Sequence, residues 1–303
     1  MAIIVNTNMS ALKTQKNLNN ASNSLQTALE RMSTGLKINK AADDAAGLYV
    51  ATNLNTQISG SKVAKNNIST GNNVLSTLEG DLDVIMDNLN RIRDLSVQAA
   101  NSIYDNSAMG AMKDEIYQRL QEIDRISLAS NFNGLQLLAG NGQLADNGLR
   151  LQVGANADSA ANAISLEKAF FAQTNSSTLG ASYKGKLPDG TKLKAGNGLS
   201  GNLTAAFANA SSAAQYINII DAAINDISSK KSTIGATMNR LDAALTSLTT
   251  VIENNTAAKS TIMDADIAEE SAEYTKQQIL QQTSSALLVQ ANQLPSLALN
   301  LIK

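Results

Sequence analysis

The 303-residue chain contains no cysteine and no histidine. These absences exclude disulfides, thiol nucleophiles, Cys–His and Ser–His relays, and metal centres built from thiolate or imidazole. Tryptophan is also missing, and aromatic residues make up only 3%. A compact globule ordinarily relies on large aromatic anchors. This chain must instead pack Leu, Ile, Val, Ala and Met, which suits long helices meeting along seams. There are two prolines, Pro188 and Pro295, so long helices are permitted over most of the length. No charge predominates: 24 Lys and Arg face 26 Asp and Glu. That balance points to no nucleic-acid partner. No apolar run approaches the roughly 20 residues of a membrane span. The N-terminus lacks the basic and apolar regions of a secretory signal. The chain is therefore expected to be cytoplasmic or exported by a route that does not use that signal.

What the chain does have is apolar spacing of three and four residues. It runs through Leu18, Ser22, Leu25, Leu29, Met32 and Leu36, and again through Leu75, Leu78, Leu82, Ile85, Leu89 and Ile92. A shorter run is Met109, Met112, Ile116, Leu120 and Ile123. A late one extends from Ile217 to Ile252 with Lys231 as its only polar interruption. These are heptad seams, and they predict helices in coiled-coil or bundle packing. In STGLKINKAADDAAG (33–47), Gly35 is expected to end one helix in a left-handed cap. Asn39 is expected to cap the next, placing Asp43 and Asp44 in its first turn. Those two carboxylates have no third ligand nearby, so a metal site is disfavoured.

Between about 130 and 210 the pattern changes. FNGLQLLAGNGQ and LRLQVGAN are short alternating runs broken by Gly and Asn, and Pro188-Asp189-Gly190 reads as a turn between strand-like pieces. The expected fold is mainly α: long antiparallel helices with a small β-hairpin region mid-chain, and both termini paired at one end of a rod.

The last helix carries a seam through Leu280, Ser284, Leu287, Ala291, Leu294, Ala298 and Leu301, with Leu288, Leu297, Leu299 and Ile302 off it. Pro295 cannot donate to the carbonyl of Ala291, so a kink is expected there. One partner helix cannot cover so much apolar surface, and such a surface marks an interaction site. The paired ends are thus expected to pack on copies of themselves, and to be largely disordered in a monomer. A membrane-lying helix would want Lys and Arg on its polar face, but from 281 to 303 only Lys303 is basic.

Over nearly its whole length the chain resembles the bacterial flagellins. The likeness is carried by IVNTNMSAL (4–12), LERMSTGLKINKAADDAAGL (29–48), NRIRDLSVQAAN (90–101), EIDRISLASNFNGLQLL (122–138), LQVGAN (151–156) and QQILQQTSSALLVQANQLPSLALNLIK (277–303). The resemblance is to a minimal form without large outer domains. It implies a subunit that self-assembles into the extracellular flagellar filament, exported through the flagellar channel without a cleaved signal. It implies an inner-core coiled-coil domain of 1–42 with 260–303, an outer-core domain of 43–175 with 205–259, and a short variable segment, 176–204. Subunit contacts would fall on Leu18, Leu25, Leu29, Met32, Leu280, Leu287, Leu288, Leu294 and Leu301.

The resemblance also implies partners: other copies of the chain, an export chaperone at about 264–303, and the filament cap and hook-junction proteins. It further implies the flagellin-sensing Toll-like receptor of animal hosts. Receptor and protofilament contacts would use Arg91, Leu95, Gln98 and Glu115. Asn90 and Asp94 stand where the family commonly has Gln and Glu. No cofactor, metal, nucleic acid or membrane is implied. Arg91, Asp94, Leu95 and Gln98 share a helical face by spacing, so an Arg91–Asp94 pair on a solvated face is the plainer expectation. The alternatives are a hook–filament junction protein and a secreted coiled-coil adhesin or injection-tip protein. An enzymatic insert with an HExxH helix is excluded by the absence of His. Asp264, Asp266, Glu269 and Glu270 read as a solvated helix start rather than a catalytic pair.

Overall fold

The computed structural model describes residues 8–140, 143–181 and 198–300, and their side chains apart from 159, 160, 169 and 294–300. The described chain is mainly helical. Helices α1 (Met9–Thr34), α2 (Ala45–Ala99) and α3 (Asn106–Ala129) precede the β region, and α6 (Gly198–Ala206), α7 (Ala210–Met263) and α8 (Ile267–Asn300) follow it. The middle holds strands β1 (Asn131–Phe132) and β2 (Leu135–Gln136), helix α4 (Gln143–Asn147) and strand β3 (Leu149–Gln152). It continues with helix α5 (Ser159–Asn162) and strand β4 (Ala163–Leu166). The expected turn at Pro188-Asp189-Gly190 lies outside the described residues.

Contacts divide the chain into two compact units, one of 1–58 with 252–303 and one of 59–251. In the second unit the heptad seams close as their spacing requires. Leu75, Leu78, Leu82, Ile85, Leu89 and Ile92 are fully buried. They meet Ile116, Leu120 and Ile123 of α3 and Ile220, Ile227, Ile234 and Leu241 of α7 in one core. Two antiparallel hairpins sit against this bundle. The first turns through Asn133 and Gly134, both at positive φ, which is the two-residue Asn-Gly hairpin turn. The second pairs Leu149 with Leu166 and Gln152 with Ala163. It lies close to α2, where a Cβ on Gly60 would stand 2.8 Å from that of Ala155.

In the first unit α1 and α8 pair antiparallel. Asn8 meets Ala291, Arg31 meets Glu270, and Leu36 bridges Asp264. The helices span Met9–Thr34 and Ile267–Asn300. Gly35 does close α1, at φ 70°, with its N–H on the Arg31 carbonyl. The next cap is not Asn39. The Asp43 carboxylate accepts from the backbone N–H groups of Asn39 and Lys40, making a separate turn. Those two bonds hold the Asp43 carboxyl below its ordinary pKa. α2 therefore starts later, and Asp44 caps it by accepting from Ala46 and Gly47.

Candidate functional site

The terminal helix pair is the first candidate surface. On α1 the residues turned inward are Thr14, Leu18, Ala21, Leu25, Ala28 and Met32, with Ala21 and Ala28 buried. On α8 they are Glu270, Tyr274, Gln277, Gln281, Ser284, Leu288 and Ala291, with Ser284 and Ala291 buried. Both sets step by four and three, so this is a heptad seam, but one built largely of small and polar side chains. Alanine at its centre lets the two backbones approach.

The sequence seam agrees with it at Leu18, Leu25, Met32, Ser284 and Ala291 and departs by one position at Ser22, Leu29, Leu280 and Leu287. Of its candidates, Leu18, Leu25, Met32 and Leu288 are half-buried between α1 and α8. Leu29, Leu280 and Leu287 instead stand in solvent, at 53%, 44% and 51% exposure. Leu294 belongs to α8 at a position whose side chain is not described, and Leu301 lies outside the described residues. The outward surface also holds Met9, Leu12, Ile279 and Val289, which the leucine spacing does not single out. The apolar excess of the two helices thus faces away from their mutual contact.

The polar contacts explain the register. Asn8 caps α1 through Oδ1, which accepts from Ala11 N at 3.0 Å, while its Nδ2 donates to the Ala291 carbonyl at 2.7 Å. That carbonyl is the one Pro295 leaves without its helical donor. At the other end Arg31 donates to Glu270 at 3.0 Å, within a half-buried setting.

The second candidate surface is the exposed side of α2 and α3. Arg91 does not pair with Asp94. Its Nε and Nη2 reach across to Glu115 Oε1 and Oε2 at 3.0 and 3.4 Å. Glu115 also accepts from Arg119, whose Nη1 donates to Asn88 at 3.2 Å. The Arg91 hydrogen bond, with Arg119 adding to it, holds the Glu115 carboxyl below its ordinary pKa. Gln98 donates to the Tyr104 hydroxyl at 3.0 Å. Arg91, Asp94 and Gln98 are exposed, but Leu95 is 3% exposed and belongs to the core. Leu95 therefore underlies this surface and forms no part of its outer face.

Lys230 is a residue the sequence reading passes over in favour of its neighbour. Lys231 is the partly exposed one and pairs with Asp83. Lys230 turns inward, where its Nζ donates to the Phe170 carbonyl at 2.7 Å and to Thr174 Oγ1 at 2.9 Å, over the Phe170 ring. Burial pushes its pKa down to about 8, against the opposing charge of Asp226. It ties the segment after β4 to α7.

Neither surface is a catalytic cleft, and among the described residues no cluster of three or more acidic side chains could hold a metal ion. Comparison with known proteins gives the identity. The model of the bacterial flagellin N-terminal helical region matches residues 5–143, and that of the C-terminal helical region matches 217–302. Only 144–216 lies between them, too little for a large outer domain. The chain is 36% identical to a flagellin of Bacillus subtilis strain 168 over 99% of both chains. It is 34% identical to a flagellar filament 33 kDa core protein of Treponema phagedenis, over 99% of this chain and 100% of that one. A solved structure described as a flagellar hook-associated protein of Vibrio parahaemolyticus overlays 73% of this chain and all of its own, with a TM-score of 0.57. At 15% identity that likeness shows the fold alone. The chain belongs to the bacterial flagellin family, structural proteins and not enzymes, whose members polymerise into the extracellular flagellar filament that serves motility.

Proposed function

We propose that the outward faces of α1 and α8 are what join this subunit to its neighbours in the filament. The supporting observation is the division of labour on the terminal helices. A seam of Ala, Gln and Ser, with Leu18, Leu25, Met32 and Leu288, satisfies the pair, while Leu29, Leu280, Leu287, Ile279 and Val289 stay largely in solvent. Apolar surface of that extent on a soluble chain is interaction surface. On this reading the residues of 1–42 and 260–303 form the inner core. Those of 43–175 and 205–259 form the outer core, and 176–204 is the variable surface segment. Before export the same α8 surface, about 264–303, is held by a chaperone. In the finished flagellum the subunit also meets the cap and hook-junction proteins.

The test is negative-stain electron microscopy of purified chain after addition of ammonium sulfate, beside a version ending at 263. Sulfate strengthens apolar burial. Long uniform filaments from the full chain alone are expected. Filaments from the truncated chain would remove the terminal helices from the role.

Recognition by the host Toll-like receptor is the finer part of the proposal. The Arg91–Glu115 pair, with Gln98 beside it, presents a fixed and partly exposed guanidinium, and Arg commonly carries interface energy. Leu95 acts from beneath by fixing the helix. Arg91→Ala is expected to weaken receptor signalling with helix content unchanged. Unaltered signalling from that variant would end the claim.

A further inference from the structure

The chain has eight methionines, of which Met1 lies outside the described residues. Met109, Met112 and Met263 are buried, and Met32, Met86 and Met238 are half-buried. Met9 departs from this pattern. It stands in the first turn of α1 at 67% exposure. The fold holds it there. Asn8, directly before it, caps α1 and is bound to the Ala291 carbonyl of α8. With Ala21 and Ala28 also buried in the seam, the rotation of α1 is fixed, and the helix cannot roll to shelter Met9.

Met9 is part of the outward apolar surface of the terminal helices. Leu12, three residues on and therefore on the same side, is 61% exposed. The other large apolar side chains exposed on this helix pair are Leu29, Ile267, Ile279, Leu280, Leu287 and Val289. All of these are plain hydrocarbon. Among the described residues, Met9 thus places the one thioether on that surface. A thioether is unbranched and fills an irregular contact well. It also reacts with oxidants in proportion to its exposure, which leucine does not.

We propose that Met9 is a modification site, oxidised by peroxide to the sulfoxide, and that this oxidation takes the single chain out of assembly. The Met9 sulfur lone pair attacks one peroxide oxygen and the O–O bond breaks. That oxygen stays on sulfur, and the other leaves as water carrying both protons. Sulfur loses two electrons and the peroxide gains them. In the single chain the new S–O group stands in water, so the fold bears no cost. In a contact between copies it becomes a buried acceptor without a donor and weakens the joint. The same contact covers the sulfur, so a chain already in the filament is shielded from the oxidant. Reduction of the sulfoxide restores the apolar side chain. The inference rests on the reading that the outward faces of α1 and α8 join the copies.

The absence of cysteine leaves methionine as the chief target of mild peroxide, which makes the test direct. Purified full-length monomer is treated with hydrogen peroxide, quenched with free methionine, and mapped by peptide mass spectrometry. Met9 is expected to gain one oxygen before the six sheltered methionines do. The treated chain is expected to keep its far-UV circular dichroism, and its critical concentration for assembly to rise about fivefold or more. Met9→Leu, which still carries Met1, is expected to assemble normally and to go on doing so after peroxide. Preformed filaments are expected to take up oxygen at Met9 several-fold more slowly than monomer. The chain ending at 263 is run alongside. Filaments from that truncated chain would end the reading of the terminal faces, and this inference with it. Where only the full chain forms filaments, three results would overturn the inference alone. These are assembly of the Met9 sulfoxide chain at the untreated concentration, equal loss of assembly by peroxide-treated Met9→Leu, and equal oxidation of Met9 in filament and monomer.

Discussion

At the scale of single residues, Asn8 and Pro295 act as one device 287 positions apart in sequence. Proline removes a donor from α8, and asparagine supplies one from α1 while capping its own helix. Asn8→Ala should cost about 1 kcal/mol for the cap and about 1 kcal/mol more for the carbonyl left unpaired. Asn8→Asp keeps the capping oxygen and loses only the donor, so it separates the two. In a Pro295→Ala background the carbonyl regains a helical partner, and Asn8→Asp should then cost less. Urea unfolding of the four chains checks this, and strict additivity would show that the two residues are not coupled.

Lys230 gives a pH signature of definite sign. Its folded pKa, about 8, lies below the ordinary lysine value. Between the two values the unfolded chain binds a proton that the folded chain has released. This group's contribution to stability therefore rises with pH across that window, with a limiting slope of about 1.4 kcal/mol per unit. Lys230→Met should lose that rise, seen by comparing denaturation of both chains at either side of the window. Equal pH slopes would show that Lys230 does not titrate there.

At the scale of elements, the sequence announces its seams best where large aliphatics do the packing. Leu75 to Ile92 and Met109 to Ile123 face one core because a three–four spacing of branched side chains has only one way to leave water. The terminal pair defeats the same reasoning. There alanine, serine and glutamine share the contact with Leu18, Leu25, Met32 and Leu288, while Leu29, Leu280 and Leu287 face outward, so following leucine alone misplaces those positions by one. The start of α2 is illegible for a different reason. Asn39, Asp43 and Asp44 are all good caps by type, and only the turn closed by Asp43 decides among them. Lys230 is missed because the three–four spacing puts its neighbour Lys231 on the seam, whereas three acceptors after β4, brought in by the fold, draw Lys230 inward.

Glycines along α2 separate packing from propensity. A Cβ on Gly80 meets nothing within 4 Å, so Gly80→Ala should stabilise the chain by about 0.5–1 kcal/mol through backbone entropy alone. Gly60→Ala gains the same entropy but presses on Ala155, including its backbone, and should show little or no net gain. Thermal melts of the two variants distinguish these outcomes. A matching gain at both sites would mean the loop after β3 yields freely.

At the scale of the whole molecule, a polymerising subunit has to stabilise its own chain and still keep apolar surface for its neighbours. The terminal helices divide those tasks by face. Leu280 and Leu287 lie seven residues apart on α8, on the same exposed strip. Replacing both with serine should change unfolding of the monomer by less than about 0.5 kcal/mol each, as exposed sites do. In the filament each would forfeit burial of the half of its side chain still exposed in the single chain, worth about 0.7–1.5 kcal/mol. At about 1.4 kcal/mol per tenfold, the critical concentration should rise about three- to tenfold per residue. The control lies on the other face. Ala28→Leu overpacks the buried seam at a position 2% exposed, so it should loosen the α1–α8 pair in the monomer by about 1–3 kcal/mol. Sedimentation of polymer against total protein, paired with circular dichroism of the monomer, resolves the two classes. If the double serine variant assembled at the wild-type concentration, the outward leucines would not be what holds neighbouring copies. If it unfolded as a monomer, the division between the two faces would be wrong.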